Sequence, residues 1–160
     1  MQDLRIRKFP DSSLRVKTSR VGKITRSVQD TLSEMAKAMY LSQGVGLASV
    51  QVGIDKQLAV VDTGSGLIKM INPVIVKREG ADTVEEGCLS CPGVFVKVKR
   101  AKKITVNFLN ESGDMMALKA EGLLARAIQH ELDHLTGRLI IDYLSPIKKM
   151  LAVKKIRKVL

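Results

Sequence analysis

Aromatic side chains are scarce in this chain: 3% of 160 residues, with two tyrosines, three phenylalanines and no tryptophan. Successive bases of a single-stranded nucleic acid would find few rings to stack on. Two cysteines are too few for a disulfide framework. No apolar stretch approaches the ~20 residues of a membrane helix, and the opening Met1-Gln2-Asp3-Leu4-Arg5 lacks the apolar run of a signal peptide. A reducing cytosol is the expected compartment. Acids are short as well, 16 Asp and Glu against 27 Lys and Arg, for a net charge of +11. That balance bears on partners and leaves the fold open. With 45% apolar residues and no internal repeat or low-complexity block, residues 1–160 are expected to form one domain.

Histidine is rarer still, and both copies fall in His130-Glu131-Leu132-Asp133-His134. Residues four apart share a helical face, so both imidazoles can reach one ion, while Glu131 projects about 60–80° round the helix from them. That suits a general base. A surface helix with scattered polar groups is the bland reading, but the apolar flanks, from Leu123-Leu124-Ala125 to Leu135 with Thr136-Gly137 as a stop, predict burial. Buried histidines and a buried glutamate are costly without partners.

A third ligand is available in Glu85-Glu86-Gly87-Cys88-Leu89-Ser90-Cys91-Pro92-Gly93. A zinc knuckle needs a second cysteine pair, and a thioredoxin-like dithiol opens a helix that Pro92-Gly93 would break. If the stretch is extended, Cys88 and Ser90 face one side and Leu89 and Cys91 the other. Only one sulfur would then meet the ion; Cys88, beside Gly87, is the better candidate, and Cys91 reads as a small buried hydrophobe. A third constellation, Gly44-Val45-Gly46-Leu47-Ala48-Ser49-Val50-Gln51, is weak alone. Beside the other two, its glycines permit close backbone approach and Gln51 can donate an amide N–H to an oxyanion.

These three segments, in this order and spacing, resemble the signatures of the peptide deformylase family from about Lys8 to Asp142-Tyr143-Leu144-Ser145-Pro146. The resemblance implies that Cys88, His130 and His134 hold one divalent metal ion, usually ferrous iron, with zinc, nickel or cobalt possible as isolated. Glu131 would shuttle protons, Gln51 and the backbone N–H of Leu89 would stabilise an oxyanion, and Gly46 would contact substrate backbone. Leu123 and Ala127 lie within about 40° of the histidine stripe and form an apolar wall; with Val45 and Val84 the family uses that wall for the methionine of an N-formylmethionyl peptide. The implied reaction is hydrolytic removal of the formyl group from nascent polypeptides, in a bacterial cytoplasm.

Some positions depart from the family pattern. Ser49 stands where a second alanine is common, Cys91 replaces an aliphatic or aromatic residue, and Phe95 replaces an arginine found in some members. Arg126 reads equally as an ion-paired side chain or a substrate contact. Arg100 reads as a partner of Glu86 beneath the cysteine loop or as a surface charge.

The expected class is α+β, a mostly antiparallel sheet around the buried H-E-x-x-H helix. Ser27 with Asp30 suggests a capping box for an N-terminal helix carrying Val28, Leu32, Met35, Ala36 and Met39. Strands are expected at Gln57–Asp62, Leu67–Ile71, Val74–Lys77, Val94–Lys99, Ile104–Leu109 and Asp114–Lys119. Residues 146–160 read as a basic helix whose Ile147, Leu151 and Ile156 line one side, able to dock on ribosomal RNA. A monomer with no DNA or membrane partner is expected. Two other readings stand beside a deformylase. A zincin peptidase explains only His130–His134, and a non-catalytic RNA-binding protein explains only the charge.

Overall fold

A helix, a twisted sheet and a second helix bring the three sequence segments together in the computed structural model, which describes residues 4–160. The Met1-Gln2-Asp3 part of the N-terminal reading lies outside the described residues. Helix α1 (Arg26–Leu41) is capped by Thr25, whose backbone is extended and whose hydroxyl accepts from the Val28 N–H at 3.4 Å. The expected box on Ser27 does not form. Ser27 already lies in the first turn, and Asp30 pairs with Arg26 at 3.0 Å.

The main sheet is antiparallel throughout, in the order β1-β2-β3-β6-β7: β1 (Gly46–Ala48), β2 (Leu58–Val61), β3 (Ile68–Glu79), β6 (Lys103–Leu109) and β7 (Met115–Glu121). A separate hairpin pairs β4 (Asp82–Cys88) with β5 (Cys91–Arg100). Strand β2 is buried along its whole length because helices cover both its faces. Leu58 and Val60 pack with Leu32, Met35 and Met39 of α1, while Ala59 and Val61 pack with Ala125 and Ile128 of the metal-motif helix α2 (Gly122–His134).

The two runs Leu67–Ile71 and Val74–Lys77 are one strand with a defect between them. Pro73 cannot donate to a ladder, the register shifts between Ile71 and Val74, and Asn72 takes a left-handed φ of 52°. The Asn72 amide compensates by bonding the Val21 N–H and C=O at 2.8 and 2.9 Å. Strands β1 and β4 were not expected as such; β1 has three residues and β4 (Asp-Thr-Val-Glu-Glu-Gly-Cys) is too polar to carry a strand pattern.

Helix α3 (Pro146–Val159) begins on Ser145, whose hydroxyl accepts from Lys148 N–H. Its buried residues are Ala152 and Ile156, packed with Val94, Val96 and Val98 of β5. The expected stripe of Ile147, Leu151 and Ile156 is therefore corrected: Ile147 is 70% and Leu151 56% exposed. Nine residues are two and a half turns, so Ile147 projects about 180° from Ile156.

Asp142 ties this end of the chain to the N-terminal segment. It accepts from Arg15 at 2.5 and 3.0 Å, from Lys149 at 2.8 Å and from the Leu139 N–H at 2.9 Å. Burial opposes its charge, but these donors outweigh it and hold the carboxyl well below the usual aspartate value of 3.8. A depressed folded-state value stabilises above the unfolded value and is lost on acidification. Asp142→Asn is therefore expected to lower unfolding free energy by about 1–2 kcal/mol at pH 7. Denaturant melts of the two proteins should converge as pH falls below about 4.

Candidate active site

Helix α2 supplies two of the three donors and the β4–β5 turn supplies the third. His130 Nε2 and His134 Nε2 are 3.2 Å apart, Cys88 Sγ is 3.4 Å from His134 Nε2, and all three donor atoms lie within 4.8 Å of one another. Metal bonds of about 2.0–2.1 Å to nitrogen and 2.3 Å to sulfur, at tetrahedral angles, imply N···N near 3.3 Å and N···S near 3.6 Å. The three side chains fit a small divalent ion.

Two further observations agree. Buried Glu131 Oε2 has no hydrogen-bond partner among the described residues. The Cys88 thiol is pushed well down, by a hydrogen bond from Cys91 against the effect of burial and with help from His134 and His130. A thiolate is the form that binds metal.

Strand alternation does not separate Cys88 from Cys91. Cys88 and Cys91 do not lie on one continuous strand but face each other across a two-residue turn, as register partners of β4 and β5. Both sulfurs therefore sit together. Cys91 is buried among Val94, Ile140 and Ile141, and its hydrogen bond to Cys88, with burial, pushes its own thiol up. It remains a protonated donor to the Cys88 thiolate, which is more than a space-filling hydrophobe.

Behind the donors stands a buried carboxylate. Glu86, 7% exposed, accepts from Arg100 at 2.6 and 2.9 Å, from Arg126 at 2.8 Å and from His130 Nδ1 at 3.1 Å. Burial favours its neutral form, yet the hydrogen bonds from His130, Arg100 and Arg126 prevail and hold it at about 2. The bond to Nδ1 turns the His130 Nε2 toward Cys88 and His134. Arg100 continues to Asp133 at 2.9 Å, which also accepts from the Tyr143 hydroxyl at 2.6 Å. Of the two readings for Arg100, the pair with Glu86 is the one found. Arg126 is likewise ion-paired, adding Asp82 at 2.7 Å, while it borders the cavity.

Gln51 lies in a short 3₁₀ turn (Ser49–Val52) after β1. Its Oε1 accepts from the Ala48 N–H at 2.9 Å, and its Nε2 donates to Ser90 Oγ at 3.1 Å and lies 3.8 Å from Cys88 Sγ. Ser90 thus positions Gln51, a pairing across 39 residues that no local pattern announces. Ser49 donates to the Lys56 carbonyl. At Gly46 a Cβ would collide with Glu131 Oε1, so the glycine leaves room for that carboxylate. Burial pushes Glu131 up, against the pull of His130 and His134.

These groups border a cavity of about 430 Å³. Val45, Val84, Leu123 and Ala127 line it together with Gly46, Gln51, Cys88, Leu89, His130 and Glu131, so ten of the eleven expected site residues border one space. His134 is the eleventh, 1% exposed behind His130. Val45, Val84 and Leu123 are large apolar side chains open to solvent at its rim, joined by Phe95.

The family model described as Polypeptide deformylase matches residues 3–150. This chain belongs to that family. It is 51% identical to the peptide deformylase of Halothermothrix orenii over 89% of this chain and 94% of that protein. Identity to the peptide deformylase of Xylella fastidiosa strain M12 is 47%, over 97% of this chain and 95% of the other. Among solved structures, a peptide deformylase from Legionella pneumophila superposes with a TM-score of 0.93 at 40% identity, covering 97% of this chain and 94% of the other. The peptide deformylase of Ehrlichia chaffeensis in complex with actinonin gives 0.95 at 36% identity, covering 99% and 98%. The α+β expectation is met, and the chain is an enzyme of the deformylase family. Its Cys-His-His group can bind a metal.

Removing the Glu86 charge leaves two buried guanidinium groups short of a partner. Glu86→Gln in this deformylase is expected to cost about 3–5 kcal/mol of stability. Chemical denaturation at neutral pH measures it, and a loss below about 1 kcal/mol would show that the arginines re-pair elsewhere.

Proposed function

We propose that this enzyme removes the N-formyl group from the N-terminal formyl-methionine of nascent polypeptides and releases formate, working as one catalytic domain over residues 1–160. The carrying observation is the buried, unpartnered Glu131 carboxylate beside the Cys88, His130 and His134 donors, at the head of an apolar-rimmed cavity. Cys88, His130 and His134 would hold the ion, ferrous iron in the cell with zinc, nickel or cobalt as substitutes. Bound there, a divalent ion supplies Lewis-acid chemistry, polarising the formyl oxygen and acidifying water.

The protein's own groups would do the rest. Glu131, pushed up from the usual glutamate value by burial, takes a proton from the attacking water and returns it to the leaving amine. Gln51, whose Oε1 accepts from the Ala48 N–H and whose Nε2 is held by Ser90, donates from Nε2 to the oxyanion together with the Leu89 N–H. Gly46 meets the substrate backbone, and Val45, Val84, Leu123 and Ala127 receive the methionine side chain. A long, flexible thioether suits a half-open apolar wall.

Purified enzyme given a formyl-methionyl peptide should release formate while leaving internal peptide bonds intact; peptide cleavage without formate would replace this reading with a zincin peptidase. Glu131→Gln should keep the metal and lose about 10²–10⁴-fold in turnover. For the ligand set, metal content after purification is the measure. Cys88→Ala should abolish tight binding, and Cys91→Ala, which removes only a donor to the thiolate, should keep full stoichiometry. Equal loss in both would mean that two sulfurs bind.

The enzyme would act as a cytoplasmic monomer of a bacterium, with no DNA or membrane partner. Its ribosome contact would run through α3, whose exposed Ile147, Met150 and Leu151 lie among lysines. No helix among the described residues is long and apolar enough to cross a membrane.

A further inference from the structure

A second concavity lies apart from the Cys-His-His donors. It is a groove of about 820 Å³ on the other side of α2, where Gln129, Leu132 and Asp133 face away from the substrate cavity. Six cationic side chains border it: Lys17, Arg20, Arg78, Lys99, Arg100 and Arg138. They come from the segment before α1, the end of β3, the end of β5 and the loop after α2. Only one acid, Asp133, lines the groove, and it is already shared by Arg100 and the Tyr143 hydroxyl.

The buried Arg100 is spent on Glu86 and Asp133. Lys17, Arg20, Arg78 and Lys99 are exposed and have no carboxylate at ion-pair distance among the described residues. Arg138 lies 4.1 Å over the Tyr143 ring, which fixes its guanidinium at the groove's edge. Four elements distant in sequence thus deliver like charges to one concavity without acids to neutralise them. Such an arrangement raises the local positive potential and costs stability through self-repulsion.

The pattern identifies the occupant. A single small anion calls for buried donors converging on one point, whereas here the free cations stand along the rim on long, flexible stems. That suits a chain of phosphates. The one ring at the groove, Tyr143, is covered by Arg138, so no aromatic face is free to stack an unpaired base. We propose that this groove docks the phosphate backbone of double-stranded RNA, distinct from both the substrate cavity and α3. The choice of RNA over DNA rests on the reading of a nascent-chain substrate, since RNA surrounds such chains as they emerge. A duplex held behind α2 leaves the cavity lined by Val45 and Leu123 open to a peptide.

The test uses the full-length, metal-loaded enzyme and a labelled RNA hairpin. One variant carries Lys17→Ala, Arg20→Ala, Arg78→Ala and Lys99→Ala; another loses the same charge from α3 through Lys148→Ala, Lys154→Ala, Lys155→Ala and Arg157→Ala. The groove variant should bind the hairpin about tenfold or more weakly, and the slope of log affinity against log salt should fall by roughly 3. The α3 variant should lose clearly less of both, because an isolated hairpin follows the phosphate path of the groove and offers α3 none of the ribosomal surface proposed for it. Equal losses in the two variants would reduce the effect to net charge and overturn the proposal. Tighter binding of the matching DNA duplex than of the RNA would overturn the choice of RNA. Formate release from a short formyl peptide should be unchanged in both variants, which separates failure of the groove from failure of the deformylase reading.

Discussion

The buried charge of Glu86 is the constraint on which the site depends. The Cys88 donor sits on a two-stranded hairpin, and the His130 and His134 donors sit on a helix. Nothing in backbone hydrogen bonding joins those two elements, because β4 and β5 form a sheet of their own. Glu86 joins them, taking Arg100 from β5 and Arg126 and His130 from α2. A buried ion pair is an inefficient source of stability, since desolvation offsets most of its attraction. Its geometric demand is strict, however: the Arg100 guanidinium meets the carboxylate through two hydrogen bonds side by side, while Arg126 and His130 take up the same two oxygens from the helix. The same contacts that fix the hairpin on the helix therefore fix the thiolate against the imidazoles.

The chemistry of the site was more legible in the sequence than its scaffold. Two histidines four apart and a glutamate between them define a helical face whatever surrounds it, and the structure keeps that face buried as the apolar flanks of α2 require. Long-range pairings carry no such local mark. The hold of Ser90 on Gln51 and the two-sided burial of β2 each depend on residues dozens of positions away. Cys91 shows how a sound rule misleads: alternation applies within a strand, and residues 88–91 turn a corner. On α3, apolar residues spaced four and five apart suggest one stripe, whereas the residues buried there are Ala152 and Ile156.

Charge has a similar division of roles. The acids that matter to the fold are few and heavily used: Glu86, Asp133 and Asp142 each satisfy two or more donors. Because so few acids carry so many contacts, several lysines and arginines, Lys17, Arg20, Arg78 and Lys99 among them, have no carboxylate at ion-pair distance among the described residues. The excess of positive charge is thus a surface property, free to be arranged by selection for association without disturbing the core.

Helix α2 is where these demands meet. One face carries His130, Glu131, Leu123 and Ala127 to the apolar-rimmed cavity, and the opposite face carries Gln129, Leu132 and Asp133 to the basic groove. Its sides are clamped, by Ala125 and Ile128 against the sheet and by Arg126 against the hairpin. A helix so enclosed cannot shift toward one cavity without disturbing the other. Gly46 sets the limit on the catalytic side, since its missing side chain leaves just the space that Glu131 fills. The glycine-rich segment, weakest of the three signatures when read alone, is therefore the mould against which the Glu131 carboxylate is cast.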